Sequence, residues 1–203
     1  MKKIRFNIIL IILLLTNCIS VLNAEEKNYK IIKLVNDQII SNYDLEQRLK
    51  LFSVLNNIAI DQENIDGYGR QMLSLMVDEK LQLEQIISYK VFIKDSEVND
   101  YIDRVYLNKD KDMEGLLIDL KNKNVDIKIL KETIKIRLGW YNLSNRLYFR
   151  DSEINKIELE NKMSQNPSLS EDQAKNLILQ KQIDLRAKKF LRDIRAEANI
   201  ENR

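Results

Sequence analysis

Few side chains in this sequence are of types that could carry out chemistry, and several classes of enzyme are excluded. The 203 residues contain no histidine. Histidine is the usual general base near neutral pH and the commonest metal ligand, so a Ser-His-Asp triad and a histidine-ligated zinc site are excluded. Two carboxylate pairs, Asp78 with Glu79 and Asp151 with Glu153, are the remaining candidates for acid–base chemistry.

Neither carboxylate pair has the setting of a catalytic dyad. Asp78 and Glu79 fall in the middle of a predicted helix, where we expect solvated side chains. Asp151 and Glu153 fall at a predicted helix start, where acidic groups interact favourably with the helix dipole. Isolated carboxylates outside a loop motif give no support for a metal site. We therefore expect no catalytic residue, no bound metal and no cofactor.

Apolar and aromatic side chains indicate binding instead. The predicted fifth helix, from Asp126 to about Tyr148, carries two apolar stripes about 180° apart at 100° per residue. Both faces therefore need partners, within the fold or from a ligand. Aromatic rings and flexible methionine side chains suit contact with varied apolar chains. The candidate binding residues are Trp140, Leu143, Leu147, Tyr148, Phe149, Met72 and Met76. Ordinary core packing is the competing interpretation for each of them.

The elements that must position these residues are predicted to be mostly helices. Four glycines and one proline in 203 residues are too few for the turns of an all-β fold. Two short strands are predicted within 31–40, followed by a helix that Ser41 begins in an approximate capping box with Asp44. Residues 56–69 are predicted to contain a loop, because Gly67 and Gly69 fall there. Further helices are predicted at 71–90, 95–106, 113–121, 126–148, 151–163 and from 170, with a possible strand at 198–201.

The N-terminus has the pattern of a secretory signal. Basic residues at positions 2, 3 and 5 precede an apolar run and a small residue, Ala24. We expect cleavage after Ala24 and a periplasmic location. An uncleaved membrane anchor is one alternative, although a spanning helix needs about 20 mostly apolar residues. Lipidation of Cys18 is another, although Asn17 stands where a lipoprotein box has a smaller residue.

Removal of residues 1–24 changes what the rest of the chain can bind. It leaves 30 basic and 31 acidic residues, so no strong field would attract nucleic acid or an anionic membrane. It also removes Cys18, the one cysteine, and with it disulfides and thiolate chemistry. We therefore expect no nucleic-acid partner and no small-molecule substrate.

Several segments resemble the SurA-type periplasmic chaperones (the SurA N-terminal domain family). The turn Val35-Asn36-Asp37 before a helix capped by Ser41 is similar to the start of the mature chains of that family. The segments 76–85, 95–98, 134–137 and 151–154 resemble its later helices in order and spacing. Residues 187–200 resemble its closing helix and strand.

The resemblance implies a mainly α fold, a SurA N-domain-like helical bundle with a small β-pair near the N-terminus that a C-terminal strand could join. It also implies a domain organisation. A signal peptide at 1–24 would precede one chaperone-like domain at 25–203. That domain would comprise a core at 29–163, a linker at 164–169 and a closing helix and strand at 170–203 that pack back. The linker stands where family members carry parvulin prolyl-isomerase domains, whose sites use histidine, so we expect no isomerase activity.

The function implied by the resemblance is that of an ATP-independent periplasmic chaperone. Family members bind unfolded outer-membrane protein precursors and pass them to the outer-membrane assembly machinery. An apolar, helix-lined groove would hold such clients here. The alternative is a non-catalytic envelope adaptor that binds one folded partner.

Overall fold

The computed structural model describes residues 29–107, 112–150 and 152–203. The signal segment expected at 1–24 lies outside these residues, as does Asp151. The described part of the chain confirms a mainly α fold with a small sheet. Its strands are β1 (Ile31–Val35), β2 (Gln38–Ser41) and β3 (Ile200–Asn202). Its helices are α1 (Asn42–Asn56), α2 (Ile65–Ser88), α3 (Asp95–Tyr106), α4 (Met113–Asn122), α5 (Ile127–Tyr148), α6 (Lys156–Gln165) and α7 (Glu171–Glu197).

The sheet joins the two ends of the described chain. Its strand order is β2-β1-β3, and β1 pairs antiparallel with both neighbours. The β1–β2 turn contains Asn36 with a φ of 50°, a left-handed conformation that asparagine tolerates better than most residues. The backbone N–H of Asn36 donates to the carbonyl of Asn199 at 2.8 Å, and the N–H of Asn199 donates to the side chain of Asn36 at 2.9 Å. The hairpin and the C-terminal strand thus hold each other in place. The strand pair and the possible third strand were both predicted from the sequence.

Side-chain caps set two helix starts where the sequence placed them. The Oγ of Ser41 accepts the N–H of Asp44 at 3.1 Å, and the Asp44 carboxylate accepts the N–H of Ser41 at 2.8 Å. Aspartate therefore closes a capping box that more often contains Glu or Gln. Ser170 and Gln173 form the same reciprocal pair at the start of α7.

Two helix starts differ from the sequence predictions. The helix expected at 151–153 begins at Lys156, because the Asn155 side chain accepts the N–H of Ile157 at 2.8 Å and caps it. The loop expected to continue to Gly69 ends earlier, since α2 begins at Ile65. The ring of Tyr68 packs 5.3 Å from that of Phe52, and this tertiary contact holds a glycine-containing first turn in helical form.

Two hydrophobic clusters hold the helices together. One lies among α1, α3, α4 and α5 and includes the buried residues Leu51, Val98, Ile102, Leu116, Leu120, Leu130 and Ile134. The other lies under the sheet, among α1, α2 and α7, and includes Val35, Ile40, Leu49, Met72, Met76, Val77 and Leu81. Helix α5 contacts α1, α2, α3 and α7, so partners within the fold cover much of both apolar faces.

The C-terminal helix packs against the N-terminal part of the chain. Arg195 of α7 forms an ion pair with Asp78 of α2 and donates to the carbonyl of Ser74 at 3.4 Å. Near the middle of α5, the ring of Trp140 stacks on Phe190 of α7 with centroids 5.7 Å apart. Polar and aromatic contacts therefore both hold α7 against the other helices.

Close packing of α2 against α5 depends on Gly139. A Cβ at this position would lie 2.9 Å from Cδ1 and 3.1 Å from Cγ2 of the buried Ile86 side chain. By contrast, nothing lies within 4 Å of a Cβ added at Gly69 of α2. The two glycines therefore form a matched pair of helical sites, one crowded and one open.

Replacement of each glycine by alanine should change stability in opposite directions. Gly69→Ala should raise the free energy of unfolding by about 0.5–1 kcal/mol, because glycine is the more flexible residue in the unfolded chain. Gly139→Ala should lower it, because overpacking costs about 1–3 kcal/mol and exceeds that gain. Urea unfolding monitored by circular dichroism measures both. Equal gains for the two variants would show that α2 and α5 are not closely packed at Gly139.

Candidate binding groove

An open groove of about 660 Å³ lies between α1, α2, α5 and the segment 90–93. This volume is within the range of about 300–1,000 Å³ typical of ligand sites. We call it the groove. Its apolar lining residues are Met76, Leu83, Ile86, Ile87, Val91, Phe92, Ile93, Ile129 and Ile136. Its polar and charged lining includes Tyr43, Asp44, Gln47, Arg48, Glu79, Lys80, Lys90, Glu132, Thr133 and Lys135.

The end of α2 shapes one wall of the groove. Lys90 has a φ of 52°, and its N–H donates to the carbonyl of Ile87 at 3.0 Å. The N–H of Val91 donates back to the carbonyl of Ile86 at 2.9 Å. This pair of bonds is a Schellman motif, which ends a helix and turns the chain sharply. The turn places the apolar residues 91–93 along the groove.

Two large apolar side chains stand exposed at the groove. Ile87 is 67% exposed and Phe92 is 86% exposed. A single exposed apolar residue needs no explanation, but a cluster beside an apolar cavity is typical of a binding surface. The free energy gained by covering these two side chains is available to any partner that enters the groove.

A buried ion pair lies in the wall of the groove. The Arg48 guanidinium of α1 pairs with the Glu79 carboxylate of α2 and donates to the Thr133 hydroxyl of α5. Thr133 in turn donates to the carbonyl of Ile129 at 2.7 Å. The side chains of Arg48 and Glu79 are only 9% and 16% exposed. One arginine thus connects the three helices that surround the groove.

The expectation that Asp78 and Glu79 are solvated is wrong for Glu79, which is largely buried, while Asp78 remains partly exposed. Glu79 pairs with Arg48, and Asp78 pairs with Arg195. The physical reason is the burial of α2, which contacts the sheet and three other helices. Polar positions on such a helix still meet neighbouring elements, and a carboxylate there needs a cationic partner.

Burial sets the protonation behaviour of Glu79. It raises the pKa of this carboxyl above the ordinary value of 4.5, and the nearby charges of Arg48, Arg137 and Lys80 oppose the effect. A raised carboxyl pKa in a cavity is sometimes the mark of a catalytic acid. Here the carboxylate is already engaged by Arg48, which gives it a structural role. Within 29–107, 112–150 and 152–203, no group of three or more acidic side chains is placed to hold a metal ion.

The methionines predicted as binding residues both lie beside Arg48, in different cavities. Met76 lines the groove. Met72 lines a second cavity of about 400 Å³, which is also lined by Arg48, Leu75 and Tyr106. Both methionines are largely buried, so each also contributes to the core beneath the sheet.

The other predicted binding residues lie towards the C-terminal end of α5 and do not line the groove. Leu143 is fully buried, so a partner would reach it only if the helices around it separated. Trp140 is covered in part by Phe190. Leu147 and Tyr148 are half-buried, and Phe149 is 57% exposed.

The same apolar stripe reaches the groove at its other end, through Ile129 and Ile136. The periodicity of the sequence indicated this stripe but not which part of it stays open. Sequence reasoning also missed Gln47, Arg48 and the segment 91–93. Arg48, Glu79 and Thr133 are far apart in the chain, and their spacing carries no signal. The sequence feature that could have indicated the groove is the apolar run Val91-Phe92-Ile93 directly after a helix end.

The Glu79 carboxyl should make the stability of the protein depend on pH. Its pKa is higher in the folded chain, so the native state keeps a proton that the unfolded state loses above pH 4.5. Its contribution is therefore complete below that pH and is lost as the pH rises through the folded-state pKa. Urea unfolding of the wild type and Glu79→Gln across pH 4–8 should show their difference in unfolding free energy falling with pH.

A difference that stayed constant or rose with pH would contradict the burial of this carboxyl. Arginine remains charged throughout this range, so the unpaired Arg48 of the variant adds a constant offset to the comparison.

Comparison with known proteins gives two weak relationships. No family model matches the chain. Over 133 residues it is 23% identical to the "Chaperone SurA" of Saccharophagus degradans, and this covers 65% of the chain and 31% of that relative. Over 134 residues it is 25% identical to the "Chaperone SurA" of Buchnera aphidicola subsp. Schizaphis graminum, covering 62% of the chain and 31% of that relative.

The chain therefore matches about a third of the length of these curated relatives. Within the described residues, no helix is both long enough and apolar enough to cross a membrane. The two relatives suggest a SurA-like relationship and a chaperone-like role, which the sequence resemblance also indicated.

Proposed function

We propose that this chain is an ATP-independent periplasmic chaperone that binds unfolded outer-membrane protein precursors in the groove. The observation that carries the proposal is the open apolar cavity between α1, α2 and α5, with Ile87 and Phe92 exposed at its edge. The two relatives named as SurA chaperones support a chaperone function for this chain. A partner with exposed apolar side chains, such as an unfolded chain, suits this lining.

Weak binding suits a carrier that releases its client without fuel. Covering apolar surface contributes about 25 cal/mol per Å². Ordering a flexible chain on the protein offsets most of that gain. The groove is open to solvent, so a bound segment would remain partly solvated and would dissociate readily. The absence of histidine from the sequence supports a binding role without prolyl-isomerase catalysis.

Two regions contribute to client binding in this proposal. The first is the groove, with Met76, Ile87 and Phe92. The second is the C-terminal end of α5, where Tyr148 and Phe149 are the most accessible of the residues predicted from sequence. Leu143 supports these surfaces from within the fold and would contact a client only after rearrangement. Trp140 and Leu147 are covered in part, and Met72 lines the second cavity.

The proposed cellular setting rests on the signal-like pattern of residues 1–24. The segment 1–24 would direct export and be removed, leaving 25–203 as one domain in the periplasm. In this domain 29–163 would form the core and 170–203 the closing helix and strand. The linker expected at 164–169 begins after Gln165, where α6 ends. Delivery of clients to the outer-membrane assembly machinery would be the final step.

Suppression of aggregation tests the proposal directly. A urea-unfolded outer-membrane barrel protein is diluted into buffer without ATP, with and without the purified protein, and light scattering is followed. We expect suppression at near-stoichiometric amounts. Phe92→Ser should weaken client binding by about 1.5 kcal/mol, roughly tenfold, because it removes an apolar side chain that the client covers.

Ile157→Ser is the matched control for Phe92→Ser. Ile157 is 66% exposed on α6, which supplies none of the groove-lining residues, so this variant should retain full suppression. Equal activity of the two variants would exclude the groove as the client site. No suppression by a folded, helical wild-type protein would exclude the chaperone function.

A further inference from the structure

We infer that the groove prefers apolar client segments that are flanked by acidic residues. This inference rests on the proposed function and specifies which clients the groove selects. It derives from two lysines, Lys80 and Lys90, that line the groove on the α2 side. Neither lysine forms a salt bridge with any residue that the structure describes.

The other charges of the groove are mostly engaged already. Arg48 and Glu79 neutralise each other. Lys135 pairs with Asp95 at 2.7 Å. Asp44 accepts two hydrogen bonds at 2.8 Å from the backbone and side chain of Ser41.

Glu132, on α5, is the remaining charged residue of the lining. Hydrogen bonds from Ser41 do not neutralise Asp44, so the walls formed by α1 and α5 carry two carboxylates, Asp44 and Glu132. Lys80 and Lys90 line the wall that also carries the exposed Ile87 and Phe92. Carboxylates of a bound segment would be stabilised along this wall and lysines would be repelled.

The two lysines lie at opposite ends of the apolar part of this wall. Lys80, Leu83 and Ile87 are separated by three and four residues along one face of α2, and Lys90 follows the end of the helix at Ser88. Eight residues at 1.5 Å each separate Lys80 from Ser88 by about 12 Å. An extended peptide rises about 3.3 Å per residue, so a short, mainly apolar segment would lie between the two acidic flanks.

The backbone at Lys90 supports a role for its charge. The non-glycine residues with positive φ in the described chain are Asn36, Asn57, Lys90 and Asn124. Asparagine tolerates this conformation well, and lysine does so less readily. A helix end of this type is most often completed by glycine. Lysine at this position has a strained backbone and places a cation at the groove. Strained residues of this kind are found at functional sites.

Three labelled peptides test the preference by fluorescence anisotropy with the purified protein. Each carries the same apolar core, Val-Phe-Val-Tyr-Val, and two flanking residues at each end, which are aspartate, lysine or serine. We expect the aspartate-flanked peptide to bind about three- to tenfold more tightly than the lysine-flanked one at low salt. The difference should disappear near 1 M salt, where the charges are screened.

The double variant Lys80→Gln/Lys90→Gly identifies the cations responsible. It should remove the preference for aspartate, so that the aspartate-flanked and lysine-flanked peptides bind within twofold of each other. Glycine relieves the backbone at position 90, so the thermal midpoint of the single variant Lys90→Gly should not fall. Lys188→Gln, at an exposed site on α7, should keep the preference, and Asn124→Gly controls for glycine at an equivalent helix end.

Equal binding of all three peptides to the wild type would overturn the inference, while suppression of aggregation would still support the chaperone function. Loss of the preference in Lys188→Gln as well would also overturn it, because general charge would then be the cause. Laurate below its micellar concentration is the probe for a lipid. If laurate bound more tightly than the peptides and depended in the same way on Lys80 and Lys90, the preferred ligand would be an anionic acyl chain. That result would also overturn the inference.

Discussion

The buried contact of Arg48 with Glu79 and Thr133 determines how the three groove helices are arranged. An unpaired charge in this position would cost several kcal/mol, whereas a paired one is tolerated. The arginine therefore favours only those packings in which α2 and α5 both lie beside α1. A groove between three helices needs such a connection, because apolar contacts alone would favour closing the space.

The two hydrophobic clusters explain why the space stays open. One cluster lies among α1, α3, α4 and α5, and the other lies under the sheet with α2 and α7. Each has its own buried core, and the groove lies where α1, α2 and α5 diverge. The Schellman turn at Lys90 then directs residues 91–93 along this opening.

The closing segment completes the fold from the far end of the chain. Strand β3 pairs with β1, Arg195 pairs with Asp78, and Phe190 stacks on Trp140. These contacts join residues more than 45 positions apart, so the N-terminal hairpin and α2 find some of their partners in the last 34 residues. The turn at 166–170, between α6 and α7, is the short connection that brings this segment back.

Local signals in the sequence determined the secondary structure well. The capping pairs at Ser41 and Ser170, the strand pair near residues 31–40 and the two apolar stripes of α5 are set by near neighbours, so they can be read without the fold. The start of α2 could not be read in this way, because the contact of Tyr68 with Phe52 outweighs the two glycines.

The open surface was likewise decided by tertiary structure alone. Periodicity gave the stripe from Ile129 to Leu147, but only the packing of α7 shows that Trp140 is partly covered while Ile136 lines the groove. Arg48 and Glu79 illustrate the same limit, since two charged residues 31 positions apart reveal their pairing only when helix packing has removed both from water.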